Sequence, residues 1–240
     1  DLSPRAQAVL AGVGRICAED TRTSGSLLAH FGIRRPLQAM HEHNEDQIAA
    51  ELTRALQAGQ SLALVSDAGT PLISDPGFAL VRAARAAGVP VIAVPGPCAA
   101  VAALSIAGIA SDSFVFIGFL PSKSGARRTR LQELLSEPRT LLFYESSHRI
   151  AESVQDIAEV LGGARRLCLA RELSKLYEDS ITATADEVVA WLAQDSNRSR
   201  GEFVLVVEGA PAQTGSDDAE AERVLRVLLS GLGAAQAAKL

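Results

Sequence analysis

Short apolar runs of strand length alternate with helical patterns that stop at glycine, and this alternation decides what the chain can fold into. Ser3-Pro4 supplies an N-cap and an N1 proline to an opening helix. Arg15 to Ala18 reads as a strand and Thr23 to Phe31 as a helix stopped at Gly32. Asn44 caps a helix that runs to about Ala58, with Gly59 at its C′ position. Strand 61–66, helix 78–87 closed by Gly88, strand 89–94 and a small-residue helix from Cys98 to Ala107 follow. Strands alternating with helices of this length predict a largely parallel sheet.

The pattern breaks between Gly108 and Ser113, which places a domain boundary there. The second half reads as strand 114–118, helix 126–136, strand 140–144, helix 150–161 and strand 166–171. Strands near 179–184 and 202–208, with a helix between them, complete a mixed sheet. The expected organisation is an N-terminal α/β domain over 1–110 and a C-terminal α/β domain over 111–209. A linker and partial helical tail take up 210–240, with a short helix near 219–229 and the start of another at Leu240. The 240 residues suffice for two such domains.

Composition excludes several classes. The net charge of −5 argues against a protein that coats nucleic acid by charge alone, while leaving room for a local basic patch. Cys17, Cys98 and Cys168 lie far apart in apolar runs, so they read as reduced core thiols rather than zinc ligands or disulfides. No apolar stretch is long enough to span a membrane, and the expectation is a soluble cytoplasmic protein.

The segment SLALVSDAGTPLISDPG carries the strongest functional signal. An apolar strand ends at Asp67, and ten residues rich in Gly, Pro, Ser, Thr and Asp intervene before a helix starts at Phe78. Open α/β sheets bind small ligands in the crevice outside the carboxyl ends of their strands. A plain connection between strand and helix is the alternative.

Further segments offer chemistry, each beside a plainer structural reading. Ala18-Glu19-Asp20-Thr21-Arg22 is either a polar cluster at the same sheet edge or a surface turn with a helix cap. His41-Glu42-His43 lacks a third ligand at sensible spacing, so no metal site is expected. Pro95-Gly96-Pro97-Cys98-Ala99 lets a flat ligand approach the backbone and offers free helix N–H groups, or serves tight packing. The run from Ser122 to Arg130 holds Lys123, Arg127, Arg128 and Arg130, a concentrated basic patch suited to a phosphate backbone or a solvated helix start. Tyr144-Glu145-Ser146-Ser147-His148-Arg149 and Arg171-Glu172-Leu173-Ser174-Lys175 are two strand ends that each deliver a Glu, hydroxyls and a cation, or an ion-pair network. No Gly-x-Gly-x-x-Gly follows the first strand and no Walker lysine is present, which disfavours a dinucleotide site or an NTPase.

The runs AEDTR, HEHNE, SDAGTPLISDPG, PGPCAA, GFLPSKS, FYESSHR, LARELSK and GEFVLVVEG, in this order, closely resemble the ribosomal RNA small subunit methyltransferase I family. That family lies in the tetrapyrrole methylase-like superfamily, and the resemblance covers Leu2 to about Gly209. It implies two α/β domains with S-adenosylmethionine (SAM) held in the cleft between them, and a homodimer. It implies as methyl acceptor the 2′-hydroxyl of a decoding-site cytidine in 16S rRNA of the small ribosomal subunit. The family pattern begins with a strand and a Thr-Pro-Ile-Gly-Asn-Leu loop, and this sequence starts directly after that point. The first strand and a loop lining the active site are therefore expected to be absent from this chain, and the helical tail incomplete.

Carried over residue by residue, the resemblance implies SAM contacts through Ala68, Gly69, Thr70 and Ile73, where Thr70 stands at a place often occupied by Asp. Cys98 and Ala99 match a second SAM segment, and Leu173 offers an apolar contact to adenine. Glu19, Asp20, Asp67 and Glu145 are the candidate catalytic bases, with Arg22, Arg149 and Lys175 orienting RNA. A methyltransferase of the same fold acting on a tetrapyrrole or another small molecule is the nearest alternative, and a non-enzymatic binding protein a more distant one. The basic patch favours RNA over an acidic macrocycle.

Overall fold

The computed structural model describes residues 2–211, 216–229 and 236. The expected start of a helix at Leu240, and part of the linker, lie outside them. The first half opens with α1 (Pro4–Gly12), β1 (Arg15–Ala18), α2 (Thr21–His30), β2 (Leu37–Ala39), α3 (Glu45–Gln57), β3 (Leu62–Val65), α4 (Phe78–Ala86) and α5 (Ala99–Ile106). Its three strands form a parallel sheet in the order β2-β1-β3.

Alternate side chains of these strands serve two cores, as a period of two requires. Ile16 packs with Leu10, Val13, Leu28 and Ile33 beneath α1 and α2. Cys17 packs with Met40, Leu52 and Leu80 beneath α3 and α4. Burial pushes the Cys17 thiol up to about 11, with Arg15 opposing weakly, so it stays a neutral core residue.

The second half comprises β4 (Phe114–Phe119), α6 (Ser124–Glu133), β5 (Thr140–Ser146), α7 (Ile150–Leu161), β6 (Arg166–Arg171), β7 (Asp179–Thr184), α8 (Ala185–Gln194) and β8 (Glu202–Val207), with α9 (Ser216–Leu229) beyond. Its sheet is mixed, in the order β4-β5-β8-β6-β7. β8 runs antiparallel between β5 and β6, so its first residues lie against their carboxyl ends. Both faces are covered, which explains why these strands read as unbroken apolar runs. Leu141, Phe143, Leu167, Leu169, Leu205 and Val207 face α6, α7 and α8. Leu142, Cys168, Ala170, Val204 and Val206 face α5, whose contact surface is Ala100, Ala103, Leu104 and Ala107. Thr182 on β7 donates its hydroxyl to the Ala107 carbonyl at 3.0 Å, fixing the end of α5 to the same sheet.

The expected strand over 89–94 does not form. Pro90 and Pro95 remove two backbone donors, and the segment pairs with no strand among the described residues; Ile92 is 73% exposed. The short β2 escapes the sequence reading because three residues are too few for a periodic pattern. Asn44 precedes α3 as expected, but its side chain turns back to accept the His41 N–H at 2.8 Å instead of capping the helix.

Because Ala103 is fully buried where α5 meets the sheet, Ala103→Leu is expected to cost about 1–3 kcal/mol by overpacking. Exposed Val101→Leu on the same helix should stay within about 0.5 kcal/mol. Urea unfolding monitored by circular dichroism compares the two.

Candidate active site

Ala18 and Val65 end their strands in register, so Glu19-Asp20 and Ser66-Asp67 leave the sheet side by side. The Asp20 N–H donates to Asp67 Oδ1 at 3.1 Å, and the Asp67 N–H to the Glu19 carboxylate. Burial raises the Glu19 carboxyl, the Asp67 carboxylate raises it further, and Glu42 of the His-Glu-His segment and Asp20 add to both. Asp20 behaves differently. It caps α2 by accepting the Arg22 N–H at 2.8 Å, and the Arg22 guanidinium grips it at 2.7 Å. Those hydrogen bonds lower its carboxyl to about 2.

The loop that follows Asp67 is held at three places. Thr70 donates its hydroxyl to the Pro97 carbonyl at 2.8 Å, which joins the loop to the turn before α5. The Gly77 N–H donates to Glu45 Oε2 at 2.6 Å. Gly77 has φ +123°, and a Cβ there would lie 2.5 Å from Leu64 Cδ2, so glycine alone fits. Ser74 lies against Gly118 of β4, where an added Cβ would come within 3.0 Å of its hydroxyl.

Facing this loop are the carboxyl ends of β5 and β6 and the start of β8. Together they enclose a cavity of about 360 Å³. Ala68, Gly69, Thr70, Ile73, Ala99 and Leu173, all expected cofactor contacts, line it. Cys98 stands behind, at the N-cap of α5, and hydrogen-bonds the Tyr144 hydroxyl. Tyr144 itself lines the cavity and accepts the Ala100 N–H at 3.3 Å. Burial pushes its phenol up to about 12, so it stays neutral.

Sequence reasoning missed Ser74, Asp75, Tyr144 and Glu202, which also line the cavity. Asp75 sat in the quoted loop and was legible as a second acid there; Glu202 was not, because its place depends on β8 inserting between β5 and β6. Asp75 is pushed up to about 6, chiefly by burial. The Ser66 hydroxyl opposes that shift, and the Glu19, Asp67 and Glu202 carboxylates add to it. Among the described residues, the four non-glycine residues with positive φ are Leu72, Ser74, Glu172 and Ser174. All belong to the two loops on either side of this cavity, and such strain concentrates at functional sites.

Two glutamates are structural in their contacts. Glu145 is buried and fully engaged: Oε1 meets Arg149 at 2.8 Å and the Ser146 N–H at 2.8 Å, while Oε2 accepts the Ser153 hydroxyl at 2.7 Å. Arg149 passes the link on to the Leu120 carbonyl at 3.1 Å, securing the loop after β4. Glu172 shares Lys175 with Glu202, at 2.9 and 2.8 Å. Burial works to raise Glu172, but Lys175 and the Glu202 N–H outweigh it and the net shift is downward.

The basic run is corrected by the structure. Arg127 does not face solvent; its side chain is 1% exposed and binds Asp156 at 2.6 Å and Glu152 at 3.3 Å. Arg128 pairs with Asp156 at 3.0 Å and with Glu159, and Arg130 pairs with Glu133 at 2.6 Å. Two helices, α6 and α7, are joined by this network. Lys123 stays exposed at the start of α6, and Arg22 is exposed beside Asp20. Among the described residues no group of three or more His, Cys, Asp or Glu is placed to hold a metal ion.

Two α/β layers meeting at a cavity between strand ends define a tetrapyrrole methylase fold. The family model for Tetrapyrrole (Corrin/Porphyrin) Methylases matches residues 1–189, and the chain belongs to that family. Curated relatives named ribosomal RNA small subunit methyltransferase I match over its whole length, and it falls within that group. The Xylella fastidiosa protein is 55% identical over 240 residues, covering 100% of this chain and 88% of the relative. The Pseudomonas aeruginosa protein is 53% identical, covering 100% and 86%, and the Escherichia coli O157:H7 protein 52%, covering 100% and 84%. Among solved structures, the methyltransferase CobJ superposes with a TM-score of 0.62 at 19% identity, over 87% of this chain and 88% of CobJ. Uroporphyrin-III C-methyl transferase from Thermus thermophilus, complexed with S-adenosyl homocysteine, gives 0.56 at 18%, over 86% and 90%. At these identities the likeness is one of fold.

Removing Arg127 leaves Asp156 buried with its main partner gone. Arg127→Ala is expected to cost about 3–5 kcal/mol of stability, whereas Arg130→Ala, whose pair is exposed, should cost under about 1 kcal/mol. Urea titration of both variants measures the difference.

Proposed function

We propose that the protein is a SAM-dependent methyltransferase of ribosomal RNA that transfers a methyl group to the 2′-hydroxyl of a decoding-site cytidine in 16S rRNA. The observation that carries this reading is the cavity between the loop after β3 and the ends of β5, β6 and β8. Segments 1–110 and 111–209 are its two jaws under this reading. The names of the relatives supply the RNA, and exposed Arg22 at the start of α2 and Lys123 at the start of α6 agree with it.

The cavity suits SAM by its chemistry. Small residues at Ala68, Gly69, Ala99 and Gly201 leave the backbone open to close approach, and Leu173 with Val204 offers an apolar wall for a base. Glu202 gives a carboxylate at the cavity wall toward a cationic ligand. SAM, when bound, supplies a methyl group on a positively charged sulfur. The backbone at Ala68, Thr70 and Ile73, with Cys98 and Ala99 behind, would hold it. The chain's main task is then alignment of the acceptor hydroxyl, worth up to about 7–11 kcal/mol.

Within this reading Asp67 fixes the ends of β1 and β3, Glu19 and Asp20 complete the rim, and Glu145 holds Arg149 against the loop after β4. Lys175 stands on the opposite loop, where Glu172 and Glu202 orient it toward the cavity mouth. A homodimer in the cytoplasm is part of the proposal. Among the described residues no helix is long and apolar enough to cross a membrane, and exposed Leu176 and Tyr177 offer apolar surface to a second copy.

The test is transfer from labelled SAM to small ribosomal subunits and to naked 16S rRNA, with nuclease mapping of the product. Label on the 2′-oxygen of one decoding-site cytidine is expected. Label on a tetrapyrrole and none on either RNA would instead favour the small-molecule reading. Asp67→Ala should remove most of the transfer with an unchanged circular dichroism spectrum. Lys123→Ala should weaken RNA binding and reduce the salt dependence by about one counterion.

A further inference from the structure

We propose that Asp75 is the catalytic base that accepts the proton of the substrate hydroxyl in this cavity, an assignment that rests on the function proposed above. It is the carboxylate at the cavity wall that remains free for this work. Asp20 is held by Arg22, Glu145 is saturated by Arg149, Ser146 and Ser153, and Glu172 and Glu202 share Lys175. Glu19 and Asp67 bind one another's strand ends outside the cavity lining. Asp75 lines the cavity, the Ser66 hydroxyl beside it donates to the Ala68 carbonyl at 3.0 Å, and among the described residues no cation is paired with Asp75.

Its placement is fixed by backbone geometry. Ser74, the residue before it, holds φ +65° and is wedged against Gly118 of β4. The same loop is tied to Pro97 by Thr70 and to Glu45 by Gly77. A left-handed non-glycine residue persists where its surroundings hold it, and here it turns Asp75 to the cavity.

The surroundings also make Asp75 a stronger base than an ordinary carboxylate. Burial and the carboxylates of Glu19 on β1's exit, Asp67 on β3's exit and Glu202 on β8 push it up to about 6, against the Ser66 hydroxyl. Tyr144 on β5 is the other titratable neighbour and stays neutral, and Lys175 is already shared by Glu172 and Glu202. At pH 7 Asp75 is mostly ionised and close to the ideal range for general base catalysis.

The step balances simply. The hydroxyl O–H bond breaks and its proton goes to an Asp75 carboxylate oxygen. The oxygen's electron pair forms the new O–CH3 bond, and the pair of the broken S–CH3 bond stays on sulfur. Asp75 then returns its proton to water when the product leaves.

Asp75→Asn keeps the shape and removes the base. We expect kcat for labelled methyl transfer to small subunits to fall about 10²–10⁴-fold, while SAM affinity by calorimetry changes less than about threefold. The wild-type rate should rise with pH through about 6 and then level, as a base active in its ionised form requires; the residual rate of Asp75→Asn should lack that limb. Ser66→Ala, which removes the hydroxyl that favours the ionised form, should move the limb to higher pH. Glu19→Gln, which removes one of the carboxylates that raise Asp75, should keep the limb and move it to lower pH. An Asp75→Asn rate equal to wild type, or a limb that survives in it, overturns the assignment. Loss of SAM affinity in proportion to the loss of rate does so too, making Asp75 a cofactor holder. If Asp75→Asn fails to fold, a wild-type rate with no limb near 6 overturns it. Absence of transfer by the wild-type protein sinks the proposed function itself, which separates the two failures.

Discussion

The close approach of α5 to the five-stranded sheet sets the geometry of everything at the cavity. Ala100, Ala103 and Leu104 form the inward surface of that helix and Ala107 continues it past its end, so mostly small side chains meet the sheet there. The approach brings the first turn of α5 to Tyr144, whose hydroxyl satisfies one of the N–H groups that a helix start leaves unpaired. It also brings Pro97 to Thr70, so the loop after β3 is anchored to the second sheet through α5. The packing reading of Pro95 to Ala100 holds, and under the proposed function the same small side chains leave space for a ligand at the helix start, where Ala99 lines the cavity.

A second constraint concerns where charge is allowed to face. Arg127 and Asp156 are both nearly buried, and neither is tolerable without the other. Their pairing with Arg128, Glu152 and Glu159 locks α6 to α7, and Arg149 with Glu145 does the same between α7's start and the loop after β4. The basic run therefore divides its work. Its paired arginines hold the scaffold, and Lys123 at its edge stays exposed.

Nearly every long element was legible in the sequence, because glycine stops and apolar periods mark it locally. The mixed character of the second sheet was legible too. What escaped depends on partners distant in sequence. Residues 89–94 carry strand-like side chains, yet a strand needs a ladder, and two prolines and the lack of a neighbour among the described residues deny it one. Arg127 reads as surface because charge in a Gly/Ser-bearing loop usually is; Asp156, on a helix that begins 23 residues after Arg127, decides otherwise. The cavity loop was visible as a loop, and Ala68, Gly69, Thr70 and Ile73 with Ala99 and Leu173 do share one cavity. Asp75 was passed over because nothing local distinguishes it from Asp67; its burial and its three acidic neighbours come from three separate strand ends.

Inserting β8 antiparallel between β5 and β6 has a consequence for charge. It sets Glu202 beside the carboxyl ends of its neighbours, so acids from both sheets converge on one mouth. Such a mouth repels phosphate and attracts a cation, and the exposed Arg22 and Lys123 stand at the starts of α2 and α6, outside the cavity lining. A cationic methyl donor inside and an anionic RNA backbone outside would each meet the charge that suits it. Under the proposed chemistry the reacting pair is a positive donor and an ionised Asp75, and both become neutral as the methyl and the proton move. Opposite charges that disappear together leave no buried ion behind, so the half-buried setting that raises Asp75 as a base is not left holding an uncompensated charge once the transfer is complete.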